Sequence, residues 1–181
     1  MSDAGRYPTE LSHVVKTTDG TPISIRAIRP SDAERLIAFY DRLSAHTAYQ
    51  RFFTVMKRLP PDWARMLADV DYVQRLALIA EVDTPAGLEL IAVARYEPTG
   101  RADTVEVAFV VQDSWQNRGL GTALFHDLLE AARARGFRRF SAYVLASNRR
   151  MLDLIGRFAT VVERKLDGGV VEAEFTAEVS R

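Results

Sequence analysis

The sequence predicts an α/β (α+β) fold: a mixed, mostly antiparallel sheet of about seven strands flanked by helices, in a single domain over residues 1–181. Three observations predict it. Strand-like and helix-like periodicities alternate in the order strands, helices, three strands, helix, strand, helix, two strands. Short glycine-containing turns separate neighbouring strand-like runs, the signature of hairpins. Thr104 to Val111 is apolar on both faces in its second half, as suits a central strand covered on both sides.

The elements follow in order. His13 to Thr18 and Thr21 to Ile28 are two strands about Asp19-Gly20, and Pro30 stops the second. Ser31 and Glu34 have capping-box spacing, and Leu36, Ile37, Phe39, Tyr40 and Leu43 recur at helical intervals, so a helix is expected from Ser31 to Leu43. His46 to Phe53 continues as a second short helix. Pro60-Pro61 opens a third, with Trp63, Met66 and Leu67 on its apolar face. Leu76 to Val82 and Leu88 to Tyr96 form a hairpin about Thr84-Pro85-Ala86-Gly87, and the polar loop Pro98 to Asp103 leads into Thr104 to Val111. A helix from Gly119 to Arg135 carries Leu120, Leu124, Leu128 and Ala131 on one stripe and stops at Gly136. Phe140 to Leu145 is a strand, Arg149 to Phe158 a short helix, and Thr160 to Leu166 with Val170 to Val179 a closing hairpin about Asp167-Gly168-Gly169.

Composition excludes several function classes. Lys plus Arg and Asp plus Glu both number 24, which gives no global electrostatic case for nucleic acid or an anionic membrane. Cysteine is absent, which removes disulfides, thiolate nucleophiles and Cys-based metal sites, and fits a cytoplasmic location. Met1 to Glu10 is polar and lacks an apolar signal core, and the longest apolar runs are too short to span a bilayer. His13, His46 and His126 are scattered without metal-ligand spacing, so no metal is expected.

The chemistry-bearing segment is the junction between the central strand and the long helix, Gln116-Asn117-Arg118-Gly119-Leu120-Gly121-Thr122. Gly119 and Gly121 fall at the helix start, where four backbone N–H groups lack an intrahelical partner. Those donors and the helix dipole favour an anion, glycine lets it approach the backbone, and Arg118 stands where it can add a charge-assisted bond. The ligand is therefore phosphate-like. A dinucleotide fingerprint would need a third small residue where Leu124 stands, and a Walker-type loop would need Lys-Ser/Thr where Thr122-Ala123 stand.

Gln116-x-x-Gly119-x-Gly121 resembles the acyl-CoA pyrophosphate loop of the GNAT N-acetyltransferase superfamily, and the similarity runs over about 76–158, through Asn148. Arg26-Ala27-Ile28-Arg29-Pro30-Ser31-Asp32, Tyr49-Gln50-Arg51-Phe52-Phe53 and Asn148-Arg149-Arg150-Met151-Leu152 resemble the GNAT domains of bacterial protein lysine acetyltransferases. The resemblance implies a GNAT-like sheet, acetyl-CoA as co-substrate, and direct attack of a protein lysine ε-amine on the thioester. It implies that Gln116 to Thr122 hold the pyrophosphate, that the backbone of Phe109 and Val111 meets the pantetheine arm, and that Asn148 contacts the same arm.

Glu106, in the first half of the central strand, is the candidate general base, and the resemblance supports that assignment; the plainer reading is an ordinary glutamate on a strand edge. Asn148 also suits a helix N-cap. Arg149 and Arg150 read as phosphate or substrate contacts or, more simply, as a solvated face. Trp63 and Trp115 read as packing residues, and His126 as a surface or packing residue. Two departures stand out. Ile155 occupies the position where many GNAT enzymes carry a tyrosine general acid, and Phe158-Ala159-Thr160 replaces the usual Leu-Gly-Phe, so no general acid is assigned. Two alternatives remain open: a GNAT acetyltransferase of a small-molecule amine, and a non-catalytic acyl-CoA-binding regulatory module. The length leaves no room for an appended domain, and a homodimer is compatible with the sequence.

Overall fold

The computed structural model describes residues 5–177. Its strands are β1 (His13–Lys16), β2 (Pro22–Ala27), β3 (Leu76–Thr84), β4 (Gly87–Pro98), β5 (Thr104–Val111), β6 (Arg139–Leu145), β7 (Ala159–Asp167) and β8 (Val170–Ala177). The α-helices are α1 (Ala33–Asp41), α2 (Ala45–Phe52), α3 (Pro61–Ala68), α4 (Leu120–Ala134) and α5 (Arg149–Phe158). All eight strands join one sheet in the order β1-β2-β3-β4-β5-β6-β8-β7, matching the strand-by-strand reading of the sequence. Hairpin connections make most neighbours antiparallel. The exception is β5 with β6, a parallel pair that needs a crossover, and α4 supplies it.

Helices cover both faces. Under α4 lie Leu120, Leu124, Phe125 and Leu128, packed with Tyr96, Val107 and Phe175. On the opposite face Leu36, Phe39, Ala64 and Ala68 from α1 and α3 pack on Ile79, Val93 and Val110. Each fully buried leucine or phenylalanine stabilises the fold by about 1.5–3 kcal/mol. Residues of β3 from Leu76 to Val82 are all buried, which accounts for the apolar run Leu76 to Ala80; Glu81, also buried, is paired with arginines.

Two local expectations are corrected. The Ser31 capping box does not form: Pro30–Asp32 is a 3-10 turn, Ser31 is exposed, and the buried Asp32 accepts the Arg29 N–H at 2.8 Å. Asp32 stands in an ion-pair cluster, bidentate to Arg26 at 2.9 Å and bonded to Arg35 at 3.1 Å, while both arginines also reach Glu81. The face that α3 buries is Ala64 and Ala68, whereas Trp63 and Met66 are exposed, so Trp63 is not a packing residue. Small side chains let the helix sit close to the sheet, and the larger residues turn outward. The expected end of the last strand, Val179, lies outside the described residues.

Candidate active site

β5 and β6 pair at Thr104/Arg139, Val105/Phe140 and Glu106/Ser141, and then part. β6 turns its far half to β8, while β5 keeps its other edge on β4. The Gln112 N–H bonds Ile91 O on β4 at 2.9 Å. Backbone groups alternate along a strand, so Phe109 and Val111 direct theirs into the gap between β5 and β6. The gap opens into a cavity of about 790 Å³. Phe109 is half-buried, its ring 6.0 Å from that of Phe125, and Val111 is core.

The loop after β5 forms one end of the cavity. Gln116 fastens it: its Nε2 donates to Val111 O at 2.9 Å and Thr47 Oγ1 at 3.3 Å, and its Oε1 accepts from Arg150 Nη1 at 2.7 Å. Asn117 (φ 61°) and Gly119 (φ 83°) take left-handed conformations that asparagine and glycine tolerate. Gly119 then precedes α4, and the Ala123 N–H is bonded back to Gly119 O. The N–H groups of the first turn, up to Thr122, have no acceptor within the helix and lie at the cavity wall. At Gly121 a Cβ would meet Phe109 Cε2 at 3.4 Å, an ordinary van der Waals contact, so the packing of α4 on β5 leaves room for a methyl group there.

The structure separates two residues of the predicted constellation from the rest. Arg118 does not line the cavity; its guanidinium lies 4.7 Å from the Trp115 ring centroid and 3.3 Å from Asp19. The Leu120 side chain is 2% exposed, in the core beneath α4. The cations that do line the cavity are on α5 and α2: Arg149, Arg150, Arg157 and Arg51. Arg149 and Arg150 are also exposed, so the solvated reading and the cavity-lining one hold together. Asn148 caps α5, its Oδ1 accepting the Met151 N–H at 3.3 Å, and it too lines the cavity.

Bracing for the loop comes from chain far away in sequence. Asp113 accepts the Ser44 N–H at 2.9 Å, the Ser44 hydroxyl at 2.7 Å and the Thr47 hydroxyl at 2.9 Å, which ties the start of α2 to the loop. Burial would raise the Asp113 carboxyl, but these donors hold it below the usual range. The Thr18 N–H donates to Arg118 O at 2.9 Å, so the β1–β2 turn props the loop from the other side.

Glu106 lies where β5 and β6 part. It belongs to a row of one-face neighbours across four strands: Glu97 on β4, Glu106, Ser141 on β6 and Glu174 on β8. Arginines clamp the flanking carboxylates: Arg75 and Arg95 reach Glu97, and Arg101 and Arg139 reach Glu174. Half-buried Glu106 has no hydrogen bond or ion pair among the described residues. Burial raises its carboxyl above the usual range; the Arg51 charge opposes this, and the Glu97 and Glu172 charges add to it. A raised, unpaired carboxylate at a cavity wall is chemically suited to accept a proton. Tyr143 of β6, which sequence reasoning missed, lines the same cavity and donates to Glu172 Oε1 at 3.3 Å. Alternation along β6 was the one signal in the sequence; the register that brings it beside Glu106 is tertiary. Ile155 is 1% exposed and belongs to the core. Exposed His126 lies 3.4 Å from Asp127.

Comparison with known proteins gives a consistent picture. A model of the acetyltransferase (GNAT) family matches residues 43–159. An acetyltransferase of Pseudomonas aeruginosa is 34% identical over 159 residues, covering 87% of this chain and 86% of its own length. Acetyltransferase Pat of Mycolicibacterium smegmatis is 35% identical over 164 residues, 88% of this chain; the chain spans 47% of that protein's length. Among solved structures, the GNAT domain of S. lividans PAT superposes with a TM-score of 0.84 at 37% identity, covering 94% of this chain and 99% of that one.

Proposed function

Because the chain belongs to the GNAT acetyltransferase family, we propose that it transfers an acetyl group from acetyl-CoA to the ε-amine of a lysine in a protein, with Glu106 as general base. The observation that carries this reading is the free carboxylate of Glu106 at the parting of β5 and β6, in a row whose other carboxylates are clamped. Support for a protein lysine comes from the segments resembling protein lysine acetyltransferases, Arg26 to Asp32, Tyr49 to Phe53 and Asn148 to Leu152.

The loop from Gln116 to Thr122 fits a pyrophosphate, since the first-turn N–H groups of α4 are free to donate. Arg149 and Arg150 fit the outer phosphates better than Arg118 does, because Arg118 is engaged with Asp19 and Trp115. The open edge of β5 at Phe109 and Val111, with Asn148 opposite, fits an amide-bearing arm. A lysine ammonium with its ordinary pKa of about 10.4 costs on the order of 4–5 kcal/mol to deprotonate at neutral pH. Glu106 takes that proton, directly or through water, as the amine forms the C–N bond; the C–S bond breaks and the thiolate leaves. An open backbone N–H of β5 polarises the carbonyl.

The test has two arms. Titration calorimetry with coenzyme A and acetyl-CoA should give saturable binding, and its absence in folded protein would sink the reading. Acetyl-CoA turnover is then followed on lysine-containing proteins and peptides beside polyamines, amino acids and aminoglycosides. Faster turnover on protein lysines is the expected result. Turnover on small amines alone would move the assignment to a small-molecule acetyltransferase, and binding without turnover to a regulatory module.

A further inference from the structure

Glu97 stands directly opposite Glu106 in the β4–β5 ladder, and residues so paired share a face with Cβ atoms about 4.5–5.5 Å apart. Two like charges in that relation repel. Glu97 is held in place by arginines: Arg75 donates to it from Nε at 2.6 Å and from Nη2 at 3.3 Å, and Arg95 Nε lies 3.6 Å away. Arg75 is itself held by Asp69 O at 2.9 Å and Met66 O at 3.0 Å, and Arg95 is 4% exposed. A carboxylate this firmly held, outside the cavity and unused by the proposed reaction, faces the one carboxylate of the row that has no clamp.

We propose that Glu97 is a positioning residue for Glu106: anchored by Arg75, it keeps a negative charge across the β4–β5 ladder and makes Glu106 the stronger proton acceptor. The inference rests on Glu106 being the general base. The other groups facing Glu106 are Arg51 and His46 of α2, Arg95 of β4, Tyr143 of β6, and Glu172 and Glu174 of β8. Glu174, paired with Arg101 and Arg139, stands one strand further off, beyond Ser141, whereas Glu97 is directly opposite Glu106. Burial, Glu97 and Glu172 therefore act together against Arg51, and Glu97 supplies one share of the proton affinity of Glu106.

The decisive measurement is a carboxyl titration by NMR on full-length protein labelled with ¹³C in its glutamates, the Glu106 resonance being identified by its loss in Glu106→Gln. In Glu97→Gln, which leaves Arg75 an acceptor, the Glu106 midpoint should move to lower pH by about threefold to tenfold in proton affinity. The acidic limb of kcat/KM for acetyl transfer should move the same way, with coenzyme A affinity unchanged. Glu97→Asp should restore most of the shift, and Arg51→Gln should move the midpoint upward. If Glu97→Gln does not fold, Glu97→Met repeats the measurement with a neutral side chain of similar length. An unmoved Glu106 midpoint in a folded, neutral Glu97 variant overturns the proposal and leaves the function untouched. Full transfer activity in Glu106→Gln would instead remove the reading on which it rests.

Discussion

A carboxylate that is half-buried and has no cation of its own weakens the fold each time it ionises, and Glu106 is such a group. Its folded-state pKa lies above the unfolded value, so the stability present at low pH is lost as pH rises from the ordinary glutamate range through the raised one. Glu106→Gln should therefore melt at a higher temperature than wild type at neutral pH and equally in acid, read by calorimetry across pH. The same variant should lose about 10²–10⁴-fold in acetyl transfer while still binding coenzyme A. A stabilised but inactive variant is what a functional carboxylate predicts; an ordinary surface glutamate predicts neither change. Gln116 carries a different load. Gln116→Ala removes its bonds to Val111 O, Thr47 and Arg150 together, and coenzyme A affinity should fall about tenfold by titration calorimetry.

At the scale of the element, the junction of β5 and α4 uses its two glycines differently. Gly119 is needed for its backbone, at φ 83°, where an L side chain costs about 1–2 kcal/mol. Gly121 is held to glycine by neither conformation nor contact: its φ is not left-handed, and an added Cβ would lie 3.4 Å from the Phe109 ring, an ordinary van der Waals contact. Gly119→Asn should consequently be milder than Gly119→Val, since asparagine tolerates the left-handed region. Gly121→Ala should leave α4 seated on β5, seen as amide shifts at Phe109 and Thr122 that barely move. Equal tolerance of Val and Asn at position 119 would contradict the conformational argument. This junction was legible because turn chemistry is local. Its bracing by Thr18, Ser44 and Thr47 was not, since those partners lie 66 residues or more away along the chain.

Across the whole molecule, the sheet is tied to α1 by the cluster of Arg26, Asp32, Arg35 and Glu81. Burial would raise Asp32, but the Arg26 bonds and the Arg29 N–H hold it below the usual range. A depressed carboxylate contributes stability above the ordinary aspartate pKa, and that contribution is lost as pH falls through the folded value. Denaturant unfolding should accordingly show a drop below about pH 4 that Asp32→Asn reduces, the rest coming from other depressed carboxylates such as Asp113. Asp32→Ala leaves two half-buried arginines short of a partner and should cost about 3–5 kcal/mol at neutral pH. The capping-box reading of Ser31 failed at this same place, because a long-range ion pair outcompeted a local cap.

The sequence by itself determined the strand and helix order, the apolar stripe of α4, the glycine turn before it and the candidacy of Glu106, because periodicity and turn chemistry act over a few residues. Only the tertiary structure decided which groups meet: Arg118 leaves the cavity while Arg149 and Arg150 line it, Tyr143 joins it, and Glu97 faces Glu106. Those outcomes depend on strand register and on where β5 parts from β6. Register is fixed by packing of the whole sheet against both helix layers, which no single segment encodes.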